Sequence, residues 1–193
     1  KLRGIGISNY VETPVGIPHE RVEVTVRGQG VVELVVGTQS TGQGHETTFA
    51  QVMADLLGVR PEEIKFIGGD TAMVPSGSGT HSDRSMRLGG TLMFQASGEV
   101  VAQAKAIAAK ILEVPAAEIA FNDGLFVTPK SNRRLTVYDV AQAMEENPAL
   151  AAGQKLHAKA TFTGRIPAYP TGCAICEVEI DPETGAIAIV RYA

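Results

Sequence analysis

Two loops rich in glycine, serine and threonine are the parts of this sequence best suited to hold a ligand. They cover residues 37–47 and 75–85, and each runs directly into a segment with helical character. Helix N-termini present unpaired backbone N–H groups and a partial positive charge, and glycine lets a ligand approach the backbone closely. The pattern indicates binding of an anion such as a phosphorylated ligand. Ordinary turns and helix caps have the same composition, so that interpretation stays open as well.

Other binding and catalytic motifs are incomplete. Gly42 and Gly44 lack the third glycine of a Rossmann motif, and no glycine is followed by the Lys-Ser or Lys-Thr of a P-loop. His81, Ser82 and Asp83 are consecutive, whereas a hydrolase triad joins residues that lie apart in sequence. The four histidines are widely separated and show no metal-ligand spacing. We therefore predict no metal held directly by side chains.

Cys173 and Cys176 form a Cys-x-x-Cys pattern, which is found in redox pairs and in halves of zinc sites. The surrounding residues alternate as in a strand, and residues three apart on a strand point to opposite faces. No second cysteine pair is available to complete a zinc site. We interpret both as ordinary strand residues.

The elements around the loops predict an α+β fold with mixed or antiparallel sheets and packed helices. Residues 21–26 and 32–36 alternate between apolar and polar types around a Gly-Gln-Gly turn, which predicts a β-hairpin leading into the first loop. A helix is predicted from Glu46 to Leu57, where Gly58 stops it. The other predicted elements are a long helix ending near Leu112, a helix at 136–144, and strands at 63–67, 124–127, 156–162, 172–180 and 187–192.

The composition is that of a globular protein. Of the 193 residues, 44% are hydrophobic and 20% charged, with a net charge of -4, which permits a real core and argues against a nucleic-acid partner. No apolar run approaches the roughly 20 residues needed to span a bilayer, and no signal-peptide pattern is present. We expect no membrane association and a cytoplasmic location.

Residues 1–193 are predicted to form a single unit because no linker or repeat interrupts them. The chain starts with Lys1 and stops within the apolar run at 189–193. We therefore expect a fragment of a larger subunit. An unpaired strand edge with apolar surface would also favour a homo-oligomer.

Four segments of the chain, taken in order, match one known family. Residues 37–51 read GTQSTGQGHETTFAQ and resemble the cofactor loop of the molybdenum hydroxylases, which include xanthine dehydrogenase, aldehyde oxidase and the large subunit of aerobic carbon monoxide dehydrogenase. The second cofactor loop of that family is matched by Gly69-Asp70-Thr71, Pro75, Gly79-Thr80 and Arg84-Ser85. RGIGISNYVE at 3–12 and EVEIDPETG at 177–185 are similar to the family's opening segment and strand–turn–strand.

The resemblance implies a molybdopterin cofactor, often the cytosine dinucleotide form in bacteria, whose molybdenum is held by the pterin and not by the protein. It implies that the Gln43 amide lies near the metal and that backbone N–H groups of the first loop face the cofactor. Because the carboxylate of Asp83 would repel a phosphate, we expect its backbone to make the contact or its side chain to point away. The implied cofactor-binding residues are Thr41, Gly42, Gln43, Gly44, His45, Thr80, Ser82, Asp83 and Arg84.

The resemblance also implies a reaction, the hydroxylation of a carbon centre with water as the oxygen source. The substrate would be a small molecule of the aldehyde, N-heterocycle or purine type. Electrons would leave through iron–sulfur clusters to FAD on other domains or subunits, so the rest of the large subunit and the iron–sulfur and flavin subunits are the expected partners. The family's glutamate base motif is not found here. We therefore assign no catalytic residue and expect the isolated fragment to be inactive.

An alternative function is a non-catalytic module. Such a module would bind a phosphorylated ligand or help a partner subunit to assemble.

Overall fold

The computed structural model describes residues 1–13 and 16–193. Its strands are β1 (Leu2–Val11), β2 (His19–Arg27), β3 (Val31–Val36), β4 (Ile64–Ile67), β5 (Ala120–Asn122), β6 (Leu125–Thr128), β7 (Ser131–Thr136), β8 (His157–Thr163), β9 (Thr171–Ile180) and β10 (Ile187–Tyr192). Its α-helices are α1 (His45–Leu57), α2 (Thr91–Leu112) and α3 (Val137–Glu146), and a π-helical turn at Ser85–Gly90 precedes α2. The predicted α+β class is confirmed.

Contacts divide the described residues into two compact units. One consists of Gly16–Ile166, and the other combines the described residues of Lys1–Val15 with Pro167–Ala193. The sequence predicted one unit, because pairing between the two ends of the chain leaves no linker or change of composition to detect. That both units belong to one domain of a larger subunit stays a prediction.

The larger unit is built on a four-stranded mixed sheet with the order β4-β3-β2-β8. The predicted hairpin is confirmed, with β2 and β3 antiparallel from Val22 opposite Val36 to Arg27 opposite Val31. β4 joins β3 in parallel. A parallel neighbour requires a crossover, and α1 lies within it.

One face of this sheet is the core of the larger unit. Alternate residues of β2 and β3 are at most 2% exposed, because side chains on a strand alternate between faces; they are Val22, Val24, Val26, Val32, Leu34 and Val36. α2 packs against β2 and β8, and α1 packs against α2 and β4. No helix in the described part of the chain is both long and apolar enough to cross a membrane.

Helix α1 ends where the sequence predicted, at Gly58, which has φ 63° and caps the helix. Its backbone lies directly against that of Gly124, in the turn between β5 and β6, so that a Cβ at either glycine would overlap the other. β5, β6 and β7 form a separate antiparallel sheet. The two glycines therefore hold the end of α1 against this small sheet.

The smaller unit is a three-stranded antiparallel sheet in which β9 lies between β1 and β10. The register places Leu2, Val178 and Ile189 on one face with other apolar residues, and places Arg3 and Glu177 on the opposite face. The same register puts Cys176 on the apolar face and Cys173 on the other, and both are free thiols.

Candidate cofactor-binding site

Both glycine-rich loops lie at the same edge of the larger sheet. The first follows β3 and the second follows β4. These strands are parallel neighbours, in register from Val32 opposite Ile64 to Val35 opposite Ile67, so their carboxyl ends lie side by side. Ligands of open sheets with parallel strands commonly bind at such carboxyl ends.

The two loops touch each other through their backbones. A Cβ at Gly77 would lie 2.7 Å from the Cα of Gly37, which leaves room for glycine alone. The hydroxyl of Thr80 accepts a hydrogen bond from the Gln39 N–H at 3.2 Å and donates one to the Gln39 carbonyl. Thr80, one of the implied cofactor residues, thus joins the loops.

The first loop opens toward solvent at the start of α1. Gly42 and Gly44 have φ of 113° and 74°, and a Cβ added at either would meet nothing within 4 Å. The N–H of Gly44 donates to the Ser40 hydroxyl at 3.3 Å. The next N–H groups, of His45 and Glu46, lie in the first turn of α1, where a helix favours an anion.

Gln43 is exposed, and its amide is oriented by Thr41. The amide oxygen accepts from the Thr41 N–H at 2.6 Å and from the Thr41 hydroxyl at 3.1 Å. The amide N–H₂ has no acceptor among the described residues and remains free to donate. The first five implied residues, 41–45, are thus contiguous around one open loop.

Two buried polar atoms of this loop have no hydrogen-bond partner among the described residues, namely Nδ1 of His45 and the hydroxyl of Thr38. The His45 ring stacks on Phe49, with centroids 4.6 Å apart and planes at 6°. Burial lowers the pKa of His45, while the neighbouring Glu46 opposes this effect. Buried polar atoms are usually satisfied, so these two suit a loop that is completed by a ligand.

The second loop carries local strain. Ser82 and Asp83 have φ of 48° and 61°, a left-handed conformation that costs non-glycine residues energy and often marks functional sites. The π-helical turn follows immediately, and such turns are also frequent at functional sites. Ser82 is half-buried and Asp83 is exposed.

Arg84 differs from the other implied residues, because it lies completely inside the protein. Its guanidinium contacts Glu20 at 2.8 Å and donates to the carbonyl of Gly79 at 2.6 Å. The structure therefore places Arg84 behind the loop and not on its open surface.

Glu20 and Thr38 are buried at the site, although the sequence interpretation did not select them. Glu20 continues the buried alternation of β2 by two residues before Val22, and Thr38 continues that of β3 by two residues after Val36. Each is a polar residue at a position where the strand alternation predicts a buried side chain, and this pattern in the sequence could have identified both.

A crevice of about 180 Å³ lies between the loops. Its lining combines glycine backbone with Gln39, Asp70 and Thr71. Residues 41–45 are not part of this lining. They separately offer the N–H groups at the start of α1, the free N–H₂ of the Gln43 amide and two glycines that face open space, which fit an extended, hydrogen-bonding ligand. Thr41, Gln43, His45, Thr80 and Ser82 are the side chains that would hold such a ligand.

Comparisons with known proteins identify the family of the chain. The family model described as molybdopterin cofactor-binding domain matches residues 1–193. The chain is 32% identical over 172 residues to the 6-hydroxypseudooxynicotine dehydrogenase complex subunit gamma of Paenarthrobacter nicotinovorans, covering 88% of this chain and 22% of that protein. It is 30% identical over 203 residues to the carbon monoxide dehydrogenase large chain of Hydrogenophaga pseudoflava, covering 99% and 25%.

Among solved structures, the chain is similar to the Cu,Mo carbon monoxide dehydrogenase in its carbon monoxide reduced state. The TM-score is 0.86 at 30% identity, covering 98% of this chain and 25% of that chain. The chain spans about a quarter of the length of these relatives. The resemblance stated from four sequence segments is confirmed: the chain belongs to the molybdopterin cofactor-binding domain family of the molybdenum hydroxylases.

Proposed function

We propose that this chain is the cofactor-holding segment of an oxidoreductase that hydroxylates a carbon centre with water. The observation that carries the proposal is the meeting of the two loops at the carboxyl ends of β3 and β4, with the exposed Gln43 amide oriented by Thr41 beside them. The bound molybdopterin would supply the two-electron oxidation. The protein's own residues would bind and orient it.

Each loop has a distinct role in this proposal. Backbone N–H groups at Gly42, Gly44 and His45 receive anionic or polar groups of the cofactor, and the Gln43 amide donates toward the metal end. Thr80, Ser82 and Asp83 bind from the second loop, with Asp83 contributing its backbone because its carboxylate would repel a phosphate. Arg84 supports the second loop from behind.

The wider assembly is also part of the proposal. The cofactor is the cytosine dinucleotide form, and iron–sulfur and FAD partners receive the electrons in the cytoplasm. The two relatives named above are called dehydrogenases of such different molecules as carbon monoxide and 6-hydroxypseudooxynicotine. We therefore propose that the residues that select an aldehyde, N-heterocycle or purine substrate lie outside this chain.

Replacing Gln43 tests the role of its amide. In the full subunit with its partners, Gln43→Ala is expected to lower kcat by about 100-fold, the usual effect of losing one oriented donor, while pterin and molybdenum contents stay near those of the wild type. Gln29→Ala, in the β2–β3 turn at the opposite end of the strands, is the matched control and should leave both unchanged. A Gln43→Ala enzyme with full activity would contradict this role.

Metal analysis separates the enzyme from the non-catalytic alternative. We expect residues 1–193 alone to be inactive and to retain no molybdenum, because a dinucleotide cofactor needs surfaces from the rest of the subunit. The full subunit is expected to carry the cofactor and turn over. A full subunit that binds phosphorylated ligands but neither pterin nor molybdenum would favour the alternative.

A further inference from the structure

A buried ion pair between Glu20 and Arg84 lies behind the two loops. Glu20 and Arg84 both have no exposed surface, and Nη1 of Arg84 lies 2.8 Å from Oε2 of Glu20. The contact is ionic, since Oε2 has no partner with hydrogen-bond geometry among the described residues. Burying two charges is costly unless their remaining hydrogen-bonding groups are also satisfied. The residues that Glu20 and Arg84 contact show which segments the pair holds in place.

Arg84 links the second loop to the segment that enters β2. Its Nη1 donates to the Gly79 carbonyl at 2.6 Å, its Nε donates to the Ile17 carbonyl at 3.3 Å, and its Nη2 donates to the His19 carbonyl. A planar guanidinium can bond to several groups in fixed directions, which an ammonium cannot do in the same way. The second loop is thus fixed to the sheet at Gly79, next to Thr80.

Glu20, the partner of Arg84 in the ion pair, contacts the first loop. Its Oε1 accepts from the Arg21 N–H at 2.8 Å and occupies the space that a Cβ at Gly37 would need. Gly37 in turn lies against Gly77 of the second loop. The pair therefore contacts both loops where they cross, and its geometry sets their separation.

The strain in the second loop requires such an anchor. Ser82 and Asp83 adopt left-handed conformations immediately before Arg84, and conformations of this kind persist only where the surroundings enforce them. The backbone N–H of Arg84 also closes a turn onto the His81 carbonyl at 3.1 Å. Anchoring Arg84 from both its side chain and its backbone holds this turn.

We propose that Glu20 and Arg84 are positioning residues that hold the two loops at the spacing the cofactor needs, without touching it. This inference rests on the proposed function, because it assumes that the loops hold molybdopterin. It reassigns Arg84 from a ligand of the cofactor to a support of the loop. It also gives Glu20 a role that the sequence alone did not suggest.

The test uses the full subunit purified with its partners, as wild type, Glu20→Gln, Arg84→Met and Arg84→Lys. Hydrogen exchange of the amides at 77–83 in cofactor-free protein is expected to speed up at least about tenfold in Glu20→Gln and Arg84→Met. Loss of bound pterin and molybdenum on dilution should speed up by about tenfold or more. Arg84→Lys should restore these properties only in part, because lysine keeps the charge but not the planar fork.

Val140→Ala is the matched control, since Val140 is fully buried in α3 and away from both loops. It should lower the thermal midpoint yet leave loop exchange and cofactor loss unchanged. If Arg84→Met does not fold, the near-isosteric Glu20→Gln supplies the result. Wild-type exchange and cofactor retention in folded Glu20→Gln would overturn the inference, as would the same changes in Val140→Ala. Absence of cofactor from the wild-type subunit would instead overturn the proposed function.

Discussion

Glu20, Thr38 and His45 are polar side chains buried in or beside the first loop, and each is constrained differently. Glu20 forms an ion pair with Arg84, yet its Oε2, like the Thr38 hydroxyl and Nδ1 of His45, has no partner with hydrogen-bond geometry among the described residues. Leaving a buried group unsatisfied destabilises the folded state. The first loop therefore gives up stability at these positions.

The pH dependence of stability should report the burial of His45. Because burial lowers its pKa from the ordinary 6.5, the unfolded chain takes up a proton first as the pH falls. Stability is then lost as the pH falls through about 6.5 toward the lower pKa of the folded state. His45→Gln removes this proton and should flatten the pH dependence of the free energy of unfolding, measured by urea denaturation between about pH 5 and about pH 8.

His157 provides an internal comparison for that measurement. Its pKa is lowered by burial and by Arg21, Arg27 and Lys159, so His157→Gln should remove a separate part of the same slope. The double variant should be flatter than either single one. An unchanged slope in His45→Gln would show that its folded-state pKa is not depressed.

At the scale of elements, glycines fix how α1 meets the small β5–β6–β7 sheet. Gly58 ends α1 in a left-handed conformation, and its backbone lies on that of Gly124. The left-handed conformation disfavours a residue with a side chain, and the backbone contact leaves no space for one. The helix that presents the first loop is thus held at its far end by a contact between two backbones.

Alanine substitutions can separate these two effects. Gly30 also has a positive φ, of 84°, but a Cβ there would meet nothing within 4 Å. Gly30→Ala should cost about 1–2 kcal/mol from conformation alone. Gly58→Ala should cost about 1–3 kcal/mol more because its Cβ overlaps a backbone. Denaturant unfolding measures both, and equal costs would mean that the contact with Gly124 is not tight.

Local patterns were enough to predict most elements. The β2–β3 hairpin and α1 follow from alternation and helical periodicity, since these depend on neighbouring residues alone. β7 was missed because Ser131, Arg133 and Arg134 give it no apolar alternation. The π-helical turn was also missed, because its signature is a backbone geometry and not a residue pattern.

Both loops of the candidate site were identified from composition and resemblance, and the structure places them at the same edge of the sheet. That their residues bind the cofactor stays a prediction. The burial of Arg84 was not predictable, because it depends on carbonyls of Ile17 and His19 more than 60 positions away. Contacts between residues so far apart in sequence form only in the tertiary fold.

At the scale of the whole molecule, the two units differ in how much of their apolar surface is covered. The larger unit buries one face of its main sheet under helices. In the smaller unit Leu2, Ile187, Ile189 and Tyr192 are each more than 60% exposed on one face, and Ile5 and Ile7 are equally exposed on the other. Large exposed apolar patches usually mark association surfaces.

Self-association of residues 1–193 should depend on this face. Ile187→Lys and Ile189→Lys place charges on it and should weaken association by about tenfold or more, because each buried isoleucine contributes about 1.5–3 kcal/mol. Ala188→Lys, on the opposite face beside Glu179, is the matched control and should change little. Sedimentation velocity over a range of concentrations measures the effect, and equal weakening by all three would contradict it.

The parallel pairing of β3 with β4 also determines when the ligand-binding surface comes into existence during folding. The β2–β3 hairpin can close in about 1–10 μs through its short turn, whereas β3 and β4 pair only after the crossover containing α1 has folded back. The surface that the two loops form together does not exist until then. A ligand that binds only the completed surface draws the population toward the folded state, so under the proposed function cofactor supply would help to determine how much folded protein accumulates.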